Sequence, residues 1–310
     1  MKNHLQGFRE QINGLNEVLH KKYDSILSMD KEDLKKKLLS LGRLEKMEIL
    51  SEEELKTLAP LVGVDGSTVR LGGAHPHYVE IFQGLAKSTQ GQDIFMQRLY
   101  TPLISTDTEE EGSKLHNKLL AEVEIDCAIA SIEEIRPKVI IMDGGLLRYK
   151  INCEDKWKIL QEMSIAEEVL ICGAIKDIKT YMISESLGYG LNFYDREVLA
   201  GKLDRGEIFI VNEEENTKNS KGFSSAFYRP SKHNEVVGID VLNEQKQYIE
   251  VLCRVLYTLT PSESRGVPFW IDIVDKECKL TPETLRVLLE ENLDRDLMER
   301  FFISERDRRS

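Results

Sequence analysis

The residues best suited to chemistry in this sequence are acids. Asp65 follows the apolar run Leu61-Val-Gly-Val64, Asp143 follows Val139-Ile-Ile-Met142, and a glycine succeeds each. An acid at the end of a buried strand projects into the crevice beside an open α/β sheet, where such sheets bind ligands. The glycine lets the chain turn and lets a ligand approach the backbone. Singly, either acid also reads as a turn cap of the Asx type. As a pair in an α/β context they point to two carboxylates facing one site. Carboxylates held close together repel, so they share a proton or a divalent cation, and hard cations such as Mg²⁺ or Mn²⁺ prefer oxygen ligands of this kind.

A third acid emerges from helical angles. Over Ser113 to Ile135, at 100° per residue, Leu119, Leu120, Val123, Cys127 and Ala130 share one face, and Ala121, Ile125, Ala128 and Ile132 a second. Lys118, Glu122, Asp126 and Glu133 gather on a third, solvated side. Glu124 falls between the two apolar faces, where a carboxylate is costly unless paired or metal-bound, and perturbed acids of that kind mark functional sites. Glu122 is the substitute if the helix phase is shifted. Further on, Val267-Pro-Phe-Trp-Ile-Asp-Ile-Val-Asp275 is expected to be a strand running into a helix, with Asp272 inside the strand and Asp275 at the junction, the better place for a ligand. Lys176 closes the apolar strand Val169 to Ile175; it reads either as an ordinary strand-end lysine or as a group that meets a phosphate. The histidines form no zinc-binding spacing, and neither a GxSxG elbow nor a GxxxxGK[ST] phosphate loop occurs.

The elements that must position these residues alternate between α and β from Ala59 onward, which argues for one α/β domain over residues 58–310. His77 to Leu85 and Phe95 to Ile104 read as strands of an antiparallel start to the sheet, Glu109-Glu-Glu111 as part of an exposed acidic linker, and Ile178 to Leu187 as a helix. Glu207 to Val211, Ala226 to Tyr228 and Val236 to Val241 read as later strands. Residues 1–57 have a different texture. Leu5, Phe8, Ile12, Leu15 and Leu19 step by three and four along an amphipathic helix with a narrow seam. A lysine-rich helix is expected from Lys31 to Leu41, and Ser51-Glu-Glu-Glu54 is a capping box opening a third. This segment reads as a helical arm for dimerisation or partner contact, with a lysine-bearing DNA contact as the alternative.

Composition bounds the function. The 310 residues carry 42 Lys+Arg and 54 Asp+Glu, so the net charge is −12. That charge argues against coating nucleic acid by bulk attraction, so a polyanion would have to be met by a local patch or by bound metal. The five cysteines, with no CxxC pair, read as reduced packing residues of a cytoplasmic protein. Neither a membrane-spanning run nor the apolar segment of a signal peptide is expected.

The order of motifs resembles that of the NurA nuclease family. Val64-Asp65-Gly66-Ser67 with Arg70 and Gly72-Gly73, then Ala121-Glu-Val-Glu-Ile125, then Ile140-Ile-Met-Asp143-Gly-Gly-Leu146 are similar to its first three blocks. Ile171-Cys-Gly-Ala-Ile-Lys176-Asp177 resembles its lysine block, and Gly266 to Asp275 its last acidic or histidine block. The resemblance spans roughly residues 58–282. It implies a ribonuclease H-like, Piwi-like mixed sheet flanked by helices, with Mn²⁺-dependent (or Mg²⁺-dependent) 5′→3′ exonuclease and single-strand endonuclease activity on DNA. It also implies a homodimer that works in DNA end processing with a HerA-type hexameric translocase, with repair or antiphage defence as the setting. Under it, Asp65, Glu124 (or Glu122), Asp143 and Asp275 (or Asp272) would hold a pair of cations, with Lys176 and Arg70 at the DNA. Some members have histidine where Asp275 aligns, and Asp143-Gly-Gly replaces the commoner Asp-Gly-Ser. Two rivals stand beside this reading. Asp65-Gly-Ser-Thr68 and Asp143-Gly-Gly145 are also similar to the phosphate loops of the actin, Hsp70 and sugar-kinase superfamily, which would imply an ATP-binding phosphotransferase. A non-catalytic adaptor docking on an ATPase through the N-terminal helices is the other.

Overall fold

The computed structural model describes residues 5–105 and 107–302; the ends of the two segments expected from sequence, 1–4 and 303–310, lie outside the described residues. The chain begins with α1 (Gln6–Leu27), α2 (Lys31–Leu41), β1 (Gly42–Lys46) and α3 (Glu52–Thr57). It continues with β2 (Leu61–Gly72), β3 (Tyr78–Ser88), β4 (Asp93–Tyr100) and the long α4 (Glu109–Glu134). Next come β5 (Val139–Asp143), α5 (Leu147–Asn152), α6 (Glu154–Ala166), β6 (Leu170–Ile175), α7 (Met182–Ser186) and α8 (Asp195–Leu199). The last stretch holds β7 (Glu207–Val211), β8 (Phe223–Tyr228), β9 (Val237–Leu242), α9 (Ile249–Thr258), α10 (Phe269–Cys278), α11 (Pro282–Asn292) and α12 (Arg295–Phe301).

All the described strands join one mixed sheet in the order β1-β7-β8-β9-β6-β5-β2-β3-β4. The central trio β2, β5 and β6 is parallel, and every other neighbouring pair is antiparallel. Side chains alternate across each strand, so Val62, Val64, Ile140, Met142 and Ile171 pack under α4, α5 and α6 on one face. Leu61, Val139, Ile141 and Cys172 pack under α9 and α10 on the other. Burial on both faces is why the parallel strands read as unbroken apolar runs.

Several expectations change. β2 does not stop at Asp65: its hairpin with β3 continues from Val62↔Ser88 to Gly72↔Tyr78, and the glycines that suggested turns are accommodated within the ladder. The acidic run is not a linker but the first turn of α4, where Thr108 and Glu111 form a capping box and three acids meet the positive end of the helix dipole. Residues 267–274 do not form a strand. Phe269 to Cys278 is a helix that buries Ile271, Val274 and Cys278 at helical spacing; its β-branched and aromatic composition had hidden that period. The helix expected over Ile178 to Leu187 shortens to Met182–Ser186, and α5 was not anticipated.

The N-terminal segment is more than helical. Between α2 and α3 it supplies β1, which pairs antiparallel with β7 as an edge strand, while Leu34, Leu38 and Leu41 of α2 enter a core with Phe209 and Phe227. α1 keeps its seam in the open: Phe8, Ile12, Leu15 and Leu19 are exposed, and Ile26 is the helix's buried residue. Among the described residues no helix is long and apolar enough to cross a membrane.

Candidate active site

The parallel ladder between β2 and β5 ends at Val64↔Met142. One residue further, β5 stops at Asp143 and the chain leaves through Gly144, whose φ of +103° a residue with a side chain rarely adopts. β2 runs on. Asp65 and Asp143 are therefore the next residues in register and share a face of the sheet, at the point where the two strands part.

Glu124 reaches the same edge from α4, on the opposite face. Its approach depends on Gly66: a Cβ there would lie 2.5 Å from Glu124 Oε1 and 2.7 Å from Leu120 Cδ1. Glu124 is 1% exposed, and its Oε2 accepts hydrogen bonds from the Tyr149 hydroxyl and the Arg148 guanidinium. Arg148 also donates to the Asp143 carbonyl oxygen at 3.0 Å and to the Tyr149 hydroxyl at 2.7 Å. Both residues come from α5. Sequence reasoning missed them, although Arg-Tyr placed a few residues after Asp143-Gly-Gly was a readable cue. Lys176, just past β6, donates from Nζ to Asp143 Oδ2 at 2.8 Å.

Asp275 sits in α10, which is fastened to β2 and β3. Cys278 Sγ donates to the Gln83 carbonyl at 3.2 Å, Gln83 Nε2 donates to the Cys278 carbonyl at 3.0 Å, and the Trp270 indole donates to the Lys87 carbonyl at 3.1 Å. Asp275 is partly exposed and pairs with Lys279 at 2.5 Å, so it stands at the rim of the acid group. Three other sequence candidates lie apart. Glu122 pairs with Lys156 of α6 at 2.9 Å. Asp272 pairs with Arg265 at 3.4 Å. Arg70, an odd number of residues beyond Asp65 and hence on the other face of β2, pairs with Glu80 at 3.3 Å and lies over the Tyr78 ring at 3.9 Å.

Electrostatics tie the acids together. Asp65 is 7% exposed, and its carboxyl is pushed up to about 7 by burial, then by the charges of Asp143, Glu124 and Asp275, against the Gly66 N–H that its Oδ1 accepts. Burial likewise raises Glu124 to about 7, opposed by Arg148 and Tyr149 and reinforced by Asp143. Burial leads both shifts and the neighbouring acids add to it, and hard carboxylate oxygens are the donors that Mg²⁺ and Mn²⁺ take. The donor chemistry thus fits a divalent cation. The arrangement is not yet a ligand cage: among the described residues no three His, Cys, Asp or Glu side chains stand close enough together to hold a metal ion. Lys176 and Arg148 occupy oxygens of Asp143 and Glu124 that ligation would use.

A family model, the NurA domain, matches residues 60–280. The crystal structure of the NurA nuclease from Sulfolobus solfataricus aligns with a TM-score of 0.62 at 10% identity, covering 94% of this chain and 99% of that one. The catalytic domain of human endonuclease V aligns with a TM-score of 0.40 at 14% identity, covering 84% and 96%. Drosophila Piwi aligns at 0.31 and 12%, covering 71% of this chain and 29% of that one. No curated protein matches the sequence. The likeness to the NurA nuclease is one of fold, and with the strand order it establishes the ribonuclease H-like class expected from sequence.

Proposed function

The chain belongs to the NurA domain family, and on that premise we propose that it is a metal-dependent DNA nuclease whose reaction takes place where β2 and β5 part. The observation that carries this reading is Asp65, in register with Asp143 at the edge of the sheet, a carboxyl raised to about 7 by burial and then by the charges of Asp143, Glu124 and Asp275. Retention of that perturbed cluster supports an enzyme over a non-catalytic adaptor.

In this reading Asp65, Glu124 and Asp143 would hold Mn²⁺ or Mg²⁺, two ions in all, with Asp275 completing the set from the rim. When bound, such ions activate water for in-line attack on a phosphodiester and stabilise the leaving oxygen. The chain's own residues do the positioning. Tyr149 and Arg148 fix the Glu124 carboxylate against the Gly66 backbone, and Lys176 orients Asp143 and, once released from it, meets a phosphate oxygen of the DNA. The finer assignments of 5′→3′ exonuclease and single-strand endonuclease activity, of a HerA-type translocase as partner and of a homodimer belong to the same proposal. The exposed apolar stripe of α1 supports a contact role for the N-terminal segment, and the net charge of −12 supports a partner that delivers the strand.

The test is incubation of the purified protein with end-labelled single- and double-stranded DNA in Mn²⁺, Mg²⁺ or EDTA, with and without the translocase. Cleavage is expected with the divalent cations and none with EDTA. Asp143→Asn should abolish it while leaving the circular dichroism spectrum unchanged. Undiminished cleavage by that variant would sink the assignment.

A further inference from the structure

Beside the acids lies a cleft of about 430 Å³ that the hydrolysis described above does not use. It opens between α5 and the segment that leads from β6 to α7. Leu147 and Ile151 of α5 form one wall, and Ile175 and Ile178 form the other. At its floor, Asp240 of β9, fully buried, accepts hydrogen bonds from Lys218 Nζ at 2.7 and 2.8 Å and from the Ser225 hydroxyl at 2.8 Å. Two positions without side chains keep it open: a Cβ on Gly145 would lie 3.1 Å from Asp240 Oδ2, and one on Gly238 would lie 3.4 Å from the Ile175 Cβ. Arg148 lines the cleft and at the same time bonds Glu124 and the Asp143 carbonyl. The cleft and the acid cluster therefore share a wall.

We propose that this cleft receives the base of an unpaired DNA nucleotide adjoining the bond that is cut. The proposal rests on the nuclease reading of the acids and adds to it a site for the substrate. Branched aliphatic side chains facing each other suit the flat faces of a heterocycle, and sites for small organic groups are apolar clefts of about 300–1,000 Å³ with few polar groups at fixed places. The floor distinguishes a base from a phosphate. Lys218 is matched by Asp240, so the floor itself carries no net charge, and the exposed Lys179 and Asp177 at the outer edge of the lining bring one charge of each sign; two of the three Lys218 donors go to Asp240 and one is left for a ring nitrogen or carbonyl. A base lodged between the walls has left its complement, at a cost of a few kcal/mol that is smallest for a strand already single. The cleft thus selects a single strand or a frayed end at the point of cleavage.

The test uses single-stranded oligonucleotides with one abasic site stepped along the strand, read as cleavage at each bond in Mn²⁺. The same strands carrying one 2-aminopurine in place of the abasic site are read by fluorescence, with Ca²⁺ replacing Mn²⁺. One position, at a constant offset from the bond, should slow cleavage about tenfold when abasic and should show the largest fluorescence change as the base leaves its stack. Ile151→Trp, at a residue 72% exposed at the mouth, should bring the intact strand down to the abasic rate and leave the abasic strand unaffected. Cleavage of every strand without positional dependence, together with a uniform fluorescence response, would overturn the cleft while leaving the nuclease reading intact. A position-specific fluorescence response with no strand cut would do the reverse.

Discussion

Replacing Asp65 by Asn should make the metal-free protein more stable, because the carboxyl is held in the folded state at a cost. Its folded value is about 7 against a reference of 3.8. A carboxyl raised on folding retains its proton over a window in which the unfolded chain has lost it, so stability falls as pH rises from about 4 and levels off above about 7. The difference of roughly three units, at about 1.4 kcal/mol each, amounts to about 4 kcal/mol at pH 8. Asparagine keeps the shape and can still accept the Gly66 N–H, so most of that cost should return as stability. At about 2 °C per kcal/mol for a chain of this size, Tm should rise by roughly 8 °C at pH 8 and hardly at all at pH 4. The assay is thermal unfolding in EDTA across pH 4 to 8, repeated with saturating Mn²⁺, which should stabilise the wild type by mass action and leave Asp65→Asn where it was. A variant less stable than the wild type at pH 8, or a gain equal at both ends of the range, would refute the reasoning about the cost of holding this carboxyl buried beside the other acids.

Gly66→Ala puts a methyl group 2.5 Å from Glu124 Oε1; it should displace that carboxylate and cut nuclease activity by at least about tenfold, since small misplacements of catalytic groups can cost up to about a hundredfold, while the circular dichroism spectrum stays native. Arg148→Ala removes the cation that opposes burial at Glu124, whose carboxyl already stands at about 7; the carboxyl then takes up a proton, so the loss should be only about 1–2 kcal/mol at pH 8 and smaller at pH 6, measurable by urea denaturation, and Glu124→Gln in the same chain should recover much of it. Leu34→Ala empties a fully buried position of α2 and should cost about 2–5 kcal/mol by the same measurement; a loss near zero would show that the N-terminal segment packs independently of the sheet.

Much of the candidate site is legible before the fold. Asp143 was legible because a buried parallel strand is an uninterrupted apolar run, so the residue that breaks it marks the strand's end. Glu124 was legible because a 26-residue helix averages out errors of phase, and a lone acid between two apolar faces has few structural explanations. Asp65 was found for a partly mistaken reason: its parallel pairing ends there, but the strand does not, since β3 continues to hydrogen-bond it for seven more residues to Gly72. The segment that carries Asp272 and Asp275 is helical and not the expected strand, because the contact of α10 with β2 and β3 overrides the strand preference of its aromatic and β-branched residues.

Local order along the chain, then, determined which residues are acids in apolar surroundings and which elements carry them, because burial and backbone period act over a few residues and leave their mark in composition and spacing. What only the tertiary structure decided is who stands opposite whom. Glu122 meets Lys156 of α6, whereas Glu124 meets Arg148 and Tyr149 of α5. Arg148 and Tyr149 join the acids because α5 turns back across them, and β1 enters the sheet through a partner more than 160 residues away. Such pairings follow from the packing of two whole faces at once, and no window of sequence contains both partners.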